Sequence, residues 1–354
     1  MTDGRRVELW RAGYSTVVVT PAEAAAIEAQ GWDGQMAMDS QSLSADPYVV
    51  LASMATGTTR LLLGTSVTNP YTRHPAVTAG SMVSLQALSS GRAVLGIGRG
   101  DSSLAFLGRA PMSVPEFERC LLALQGYLSG DAVPFDALGN LADLPLGGAP
   151  EAAQLRWIPE GLPKVPLEVA ATGPRVISAA ARIAERVTVS VGAIPERLSW
   201  AVDVAHDARR EAGLVPDAVS IGTQIVVVPH PDRAVARDLA RNVVAPLARF
   251  STINGRTVGP ASAADEKVFD GLRRHYDMTH HGQAPPGVVT DDFVDRFAIV
   301  GPPEVCIERF LELVDLGVTR FVVCRSPGGI DRDAERLSND MFTREVMPAV
   351  QAAR

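Results

Sequence analysis

The feature that most constrains this chain is the exchange of short, continuously apolar runs with longer amphipathic stretches, many of them opening on proline. Arg60–Val67 carries Leu61, Leu62 and Leu63 in a row, and Pro75–Leu88 then reads as a helix stopped near Gly91. Proline suits the first helical turn and glycine the position just past the last. A strand that is apolar at consecutive residues needs cover on both faces, which is the condition of a parallel sheet flanked by helices.

The same alternation recurs along the chain. Strands are expected at Val7–Leu9, Trp32–Met38, Arg60–Val67 and Arg92–Ile97, with Thr16–Val19 also reading as β. Helices are expected at Pro21–Gln30, Pro47–Thr56, Pro75–Leu88 and Val114–Leu128, the last with Ser113 placed to cap it. After a Gly/Pro-rich insertion at about 130–163 come strands Pro166–Ala170, Arg186–Val191 and Val219–Val228, followed by helices Pro174–Ile183, Pro195–Ala212 and Asp232–Phe250. A second irregular insertion spans about 251–296, then helix Pro302–Leu316, strand Arg320–Val323 and a closing helix Asp331–Ala352. Eight parallel strands with right-handed crossovers close most naturally into a (β/α)8 barrel, an α/β fold whose active site lies at the C-terminal strand ends. No linker divides 1–354, so a single domain is expected, with insertions after strand 4 and after the helix that follows strand 7.

Composition narrows the function. A formal net charge of -7 offers no basic field for a nucleic acid. Lys164 and Lys267 are the only lysines and neither sits in a motif, which argues against Schiff-base chemistry. Cys120, Cys306 and Cys324 are isolated, so neither a disulfide framework nor a zinc site is expected, and all three read as packing residues. The polar segment Met1–Arg11 lacks a signal-peptide pattern, and no run of about 18 apolar residues could span a membrane. A cytoplasmic enzyme with a small-molecule substrate is the expectation.

Polar residues just past barrel strands can face the site. Asp39 ends the second strand and is a catalytic candidate, with a capping or loop aspartate as the alternative. The third strand runs into Thr65, Ser66, Val67, Thr68, Asn69 and Pro70, small residues that a ligand can approach closely; His74, before Pro75, reads as structural. The fourth runs into Gly96, Gly98, Gly100, Asp101 and Ser102. Its GxGxG spacing and its place after three earlier βα units do not fit a Rossmann fingerprint; the glycines instead let a planar ring lie against backbone. Asp101 is the second catalytic candidate. Ala171, Thr172, Gly173 and Pro174 open a helix whose free N–H groups, with the Thr172 hydroxyl and Arg175, suit an anion. Gly192, past the sixth strand, joins the cofactor-facing set. His275, His280 and His281 lack a metal-site spacing and read as a solvated or substrate-lining loop.

These segments resemble a known family. Leu63 to Ala79, Ser90 to Asp101, Ala170 to Pro174 and Val300 to Glu304 look like the corresponding segments of the luciferase-like flavin oxidoreductases, closest to the branch containing methylenetetrahydromethanopterin reductase. The resemblance implies a (β/α)8 barrel, coenzyme F420 (with FMN as the alternative), a homodimer, and a non-prolyl cis peptide at Ser66–Val67 backing the ring. Several members carry Asp-His at the second strand end, and the sugar-phosphate dehydrogenase branch uses that histidine. Here Asp39 is followed by Ser40, so alcohol oxidation by such a histidine is not expected. The reading that follows is F420-dependent hydride transfer; the alternatives are an FMN-dependent monooxygenase and a non-catalytic flavin-binding relative.

Overall fold

The computed structural model describes residues 6–13, 15, 17–139, 148, 150–253, 255–324 and 331–353. Eight strands run in parallel: β1 (Glu8–Gly13), β2 (Gly34–Ala37), β3 (Leu62–Thr65), β4 (Ala93–Ile97), β5 (Leu167–Ala171), β6 (Arg186–Val189), β7 (Ser220–Pro229) and β8 (Arg320–Cys324). Each pairs with the next, and β8 returns to β1 with Glu8 opposite Arg320, so the sheet closes into a (β/α)8 barrel.

Local chemistry sets the helix starts. Pro21, Pro47, Pro75, Pro174 and Pro195 each occupy the first turn of a helix. Thr20 with Glu23, and Ser113 with Glu116, form capping boxes that satisfy exposed N–H groups from both sides. His74 caps Pro75–Leu88, its Nδ1 accepting from Ala76 N–H, which is the structural role expected of it. Apolar residues between strands and helices form the core, among them Leu63, Leu95, Val169, Val189, Ile225 and Phe321.

Inside the barrel, at the N-terminal strand ends, a charged cluster takes the place of apolar layers. The Glu168 carboxylate lies 3.2 Å from Arg186 Nε and 3.3 Å from Arg320 Nε, and accepts from Thr188 Oγ1 at 2.6 Å. Arg186 also pairs with Glu8. The cluster leaves the opposite, C-terminal end for the site.

The structure corrects several expectations. Val17–Val19 form no strand, and Thr16 lies outside the described residues. The first insertion holds a short antiparallel pair, Val133–Pro134 with Ala152–Ala153. The second is not irregular throughout. It carries helix Ala263–His275, started by a Ser262–Asp265 capping box, and most of helix Asp291–Phe297, capped by Thr290. A short strand, Ile299–Gly301, then pairs with the far end of β7. The closing helix contains a π-turn at Phe342–Val346. Among the described residues no helix is long and apolar enough to cross a membrane.

Candidate active site

A cavity of ≈ 460 Å³ opens at the C-terminal strand ends. Its wall brings together Asp39, Ser66, Val67, Gly98, Gly100, Asp101, Ser102 and Ala171–Gly173 from four strand ends, so most of the residues expected from sequence converge there. The Ser66–Val67 peptide is cis. A Cβ on Gly98 would lie 3.0 Å from Val67 Cγ2, so only glycine leaves this patch of backbone bare beside Val67. Gln224 of β7 ties the floor together, donating to Ser66 Oγ at 3.3 Å while Ser190 Oγ donates to its Oε1 at 2.7 Å.

Other expected residues stand behind the wall. Thr68 is fully buried and its Oγ1 donates to Asp39 Oδ2 at 2.6 Å. Asn69 holds its own turn, Oδ1 accepting from Tyr71 and Thr72 N–H. Pro174 is the exposed first residue of its helix. Gly192 does not line the cavity; its backbone has φ 78°, and a Cβ there would meet the Phe297 ring at 2.6 Å, so the glycine serves packing.

Asp39 does not cap a helix; Asp46 fills that role for Pro47–Gly57. Burial pushes the Asp39 carboxyl above its ordinary value, opposed by the Thr68 hydroxyl and by Arg73, whose Nη1 lies 3.7 Å away. Arg73 is itself held by Asp46 and lies over the Tyr48 ring. Asp101 is differently placed: its carboxylate pairs with Arg249, whose guanidinium lies 5.1 Å from the centre of the Tyr276 ring. The two carboxylates of the cavity thus have different environments, one desolvated and one matched by a cation.

The helix Pro174–Ile183 begins at Gly173 with no side-chain cap; Pro174 has no N–H and Val176 N–H donates to Gly173 O, so in its first turn the Arg175 N–H is left for another acceptor. Arg99, in the same wall, donates to Met112 O at 2.5 Å; burial and the neighbouring Arg175 lower its pKa. Two arginines and an open helix start concentrate positive potential at one part of the cavity.

The helix Arg233–Arg249 and the turn after it supply a wall that sequence reading assigned no role: Val243, Pro246, Leu247, Phe250, Ile253 and Val258. His281, from the second insertion, also lines the cavity; its Nδ1 lies 2.7 Å from Tyr276 Oη, which accepts from Gly282 N–H at 3.1 Å. Burial and Arg249 push the imidazole below its ordinary pKa. His280 instead pairs with Asp277, and His275 ends its helix. Cys324, expected only to pack, reaches the cavity wall.

The residues present fit a flat ring with a phosphate-bearing tail: a floor of small residues, an uncapped helix start and nearby arginines. The model of the family described as "Luciferase-like monooxygenase" matches residues 15–320. A 5,10-methylenetetrahydromethanopterin reductase of Methanolobus tindarius is 31% identical over 86% of this chain and 89% of its own length. An F420-dependent glucose-6-phosphate dehydrogenase of Microbacterium testaceum is 27% identical, covering 85% and 82%. The structure of a coenzyme F420 dependent tetrahydromethanopterin reductase from Methanopyrus kandleri superposes with a TM-score of 0.74 at 23% identity, over 97% of this chain and 99% of the other.

Proposed function

The chain belongs to the luciferase-like monooxygenase family, and we propose that within it this enzyme is an F420-dependent oxidoreductase acting on a small organic substrate. The observation that carries the reading is the pairing, in one cavity, of a small-residue floor with an uncapped helix start flanked by Arg99 and Arg175. The names of the relatives support the deazaflavin over FMN.

Bound F420 supplies a hydride donor or acceptor at carbon, and the protein supplies position and proton management. Ser66, Val67, Gly98 and Ala171 offer the face for the ring, held by the Gln224 hydrogen bonds. The N–H groups at Gly173 and beyond, the Thr172 hydroxyl and the arginines receive the phosphate. Asp39, kept protonated to higher pH by burial, donates or takes the proton that accompanies hydride transfer. Asp101, matched by Arg249, holds that arginine against Tyr276.

The test is a fluorescence titration with F420 and with FMN, followed by oxidation of reduced F420 in the presence of cyclohexanone with and without oxygen. Tighter binding of F420 and oxygen-independent turnover are expected. Turnover that needs FMN and oxygen would assign the enzyme to the monooxygenases instead.

A further inference from the structure

Ser40 follows Asp39 in the cavity wall. The residue is only 7% exposed, and its Oγ has no hydrogen-bond partner among the described residues. A buried hydroxyl without a partner is destabilising, and such groups persist where a ligand satisfies them. Among the described residues no comparable case lines a cavity. The other buried atoms without a hydrogen bond are Thr72 Oγ1, Nε of Arg249 and Arg309, and Glu168 Oε2 with Nε of Arg186 and Arg320, which meet as ion pairs; none of these residues lines this cavity.

The surroundings of this hydroxyl indicate what it binds. The wall from the helix Arg233–Arg249 and the segment after it is apolar along Val243, Leu247, Phe250, Ile253 and Val258; Asn242 stands beside them, its Oδ1 accepting from Ala284 N–H at 3.0 Å. Among the described residues of the cavity wall the cation is Arg99, whose Nε is engaged by Met112 O beside Arg175. Asp101 is matched by Arg249. Of the described side chains on this wall none is charged, so a charged substrate lying against it would lose hydration without replacement.

We infer that the substrate is a neutral, mainly apolar molecule whose reacting carbon is doubly bonded to oxygen or nitrogen, and that Ser40 hydrogen-bonds that heteroatom. This rests on the hydride-transfer reading above. In the reducing direction the carbon gains the hydride from reduced F420, the double bond's electron pair moves to the heteroatom, and the proton from Asp39 completes it. Ser40 is a positioning and recognition residue: it fixes the heteroatom beside the carboxyl that neighbours it in sequence.

The test uses the intact protein loaded with F420, with cyclohexanone and glucose 6-phosphate as probes, binding being followed by calorimetry. Saturable binding of cyclohexanone and none of glucose 6-phosphate is expected. Ser40→Ala should weaken cyclohexanone about tenfold, the loss of one hydrogen bond, and leave F420 affinity unchanged. Ser40→Thr, which keeps the hydroxyl, should retain most of the ketone affinity. Unchanged ketone binding in Ser40→Ala overturns the recognition role. Preference for glucose 6-phosphate overturns the apolar substrate class while leaving the hydride-transfer reading standing. Failure of F420 itself to bind overturns that reading, and the same two probes on the cofactor-free protein then decide the substrate class.

Discussion

A carboxyl group taken out of water resists ionisation, and Asp39 shows what a site gains from that resistance. Its folded pKa lies above the unfolded value because burial outweighs the Thr68 hydroxyl and Arg73. The sign follows from linkage: its stabilising contribution is complete below the unfolded pKa and is lost as pH rises through the folded one. At pH 7 the raised pKa therefore costs stability, and it carries the proton of this carboxyl to higher pH than an exposed aspartate would. Asp39→Asn should be at least as stable as the parent at pH 7 in thermal melts, since Thr68 Oγ1 can donate to the amide oxygen as well. Turnover should fall by about 10²–10⁴-fold, the usual worth of general acid–base catalysis. The parent's rate in the reducing direction should decline as pH rises through the Asp39 pKa, and that decline should be missing from the variant. A variant with parental turnover and pH profile would remove Asp39 from proton handling.

At the scale of elements, the proposed phosphate site rests on the start of the helix Pro174–Ile183. Gly173 offers no side-chain oxygen there, Pro174 has no N–H, and the Arg175 N–H with the positive end of the helix dipole remains for a ligand. The Thr172 hydroxyl lies in the same wall. Thr172→Val should weaken F420 about ten- to hundredfold, the range for a charge-assisted hydrogen bond. It should leave the phosphate-free 8-hydroxy-5-deazariboflavin unaffected, and equal weakening of both in fluorescence titrations would move the phosphate elsewhere. This element was legible in the sequence because Thr-Gly-Pro after an apolar strand has a local meaning that packing does not alter. The floor at Ser66, Val67 and Gly98 was legible for the same reason. The wall at Val243–Val258 was not. Apolar residues recur along the helix Arg233–Arg249 whether they face core or cavity, and only the fold shows that Val243 and Leu247, unlike Val244, also reach the site. His281 depends on Tyr276 across a turn inside an insertion, and Gln224 signalled itself only as a polar break in an apolar strand. Gly192 misled because a left-handed glycine past a strand end looks alike whether it faces a ligand or, as here, Phe297.

The whole barrel divides its charges between two ends with different tasks. At the C-terminal end the Ser40 hydroxyl is left without a hydrogen-bond partner among the described residues, which suits binding. At the N-terminal end Glu8, Glu168, Arg186 and Arg320 form ion pairs across β1, β5, β6 and β8. Because the strands involved are far apart in sequence, this cluster locks the closure of the barrel, and breaking it should be felt by the entire fold. Burial lowers the Arg320 pKa to about 10, against the pull of Glu168, so at neutral pH the guanidinium is still charged and needs its partner. Glu168→Gln leaves that charge buried without a carboxylate, and should cost about 3–5 kcal/mol in denaturant unfolding at pH 7. Replacing both Glu168 and Arg320 by methionine removes the desolvated charges together and should recover much of the loss. The cluster also predicts how the protein responds to acid. Burial raises the Glu8 pKa, but Arg186 and Arg320 outweigh it and the net value is lowered. Its folded pKa being below the unfolded one, its contribution is present above the unfolded value and is lost as pH falls through the folded value. Stability should therefore drop below about pH 4.5, and less steeply in Glu8→Gln, which has no such proton to take up. Equal acid sensitivity of the two proteins, followed by circular dichroism, would show that the cluster does not govern acid unfolding of the barrel.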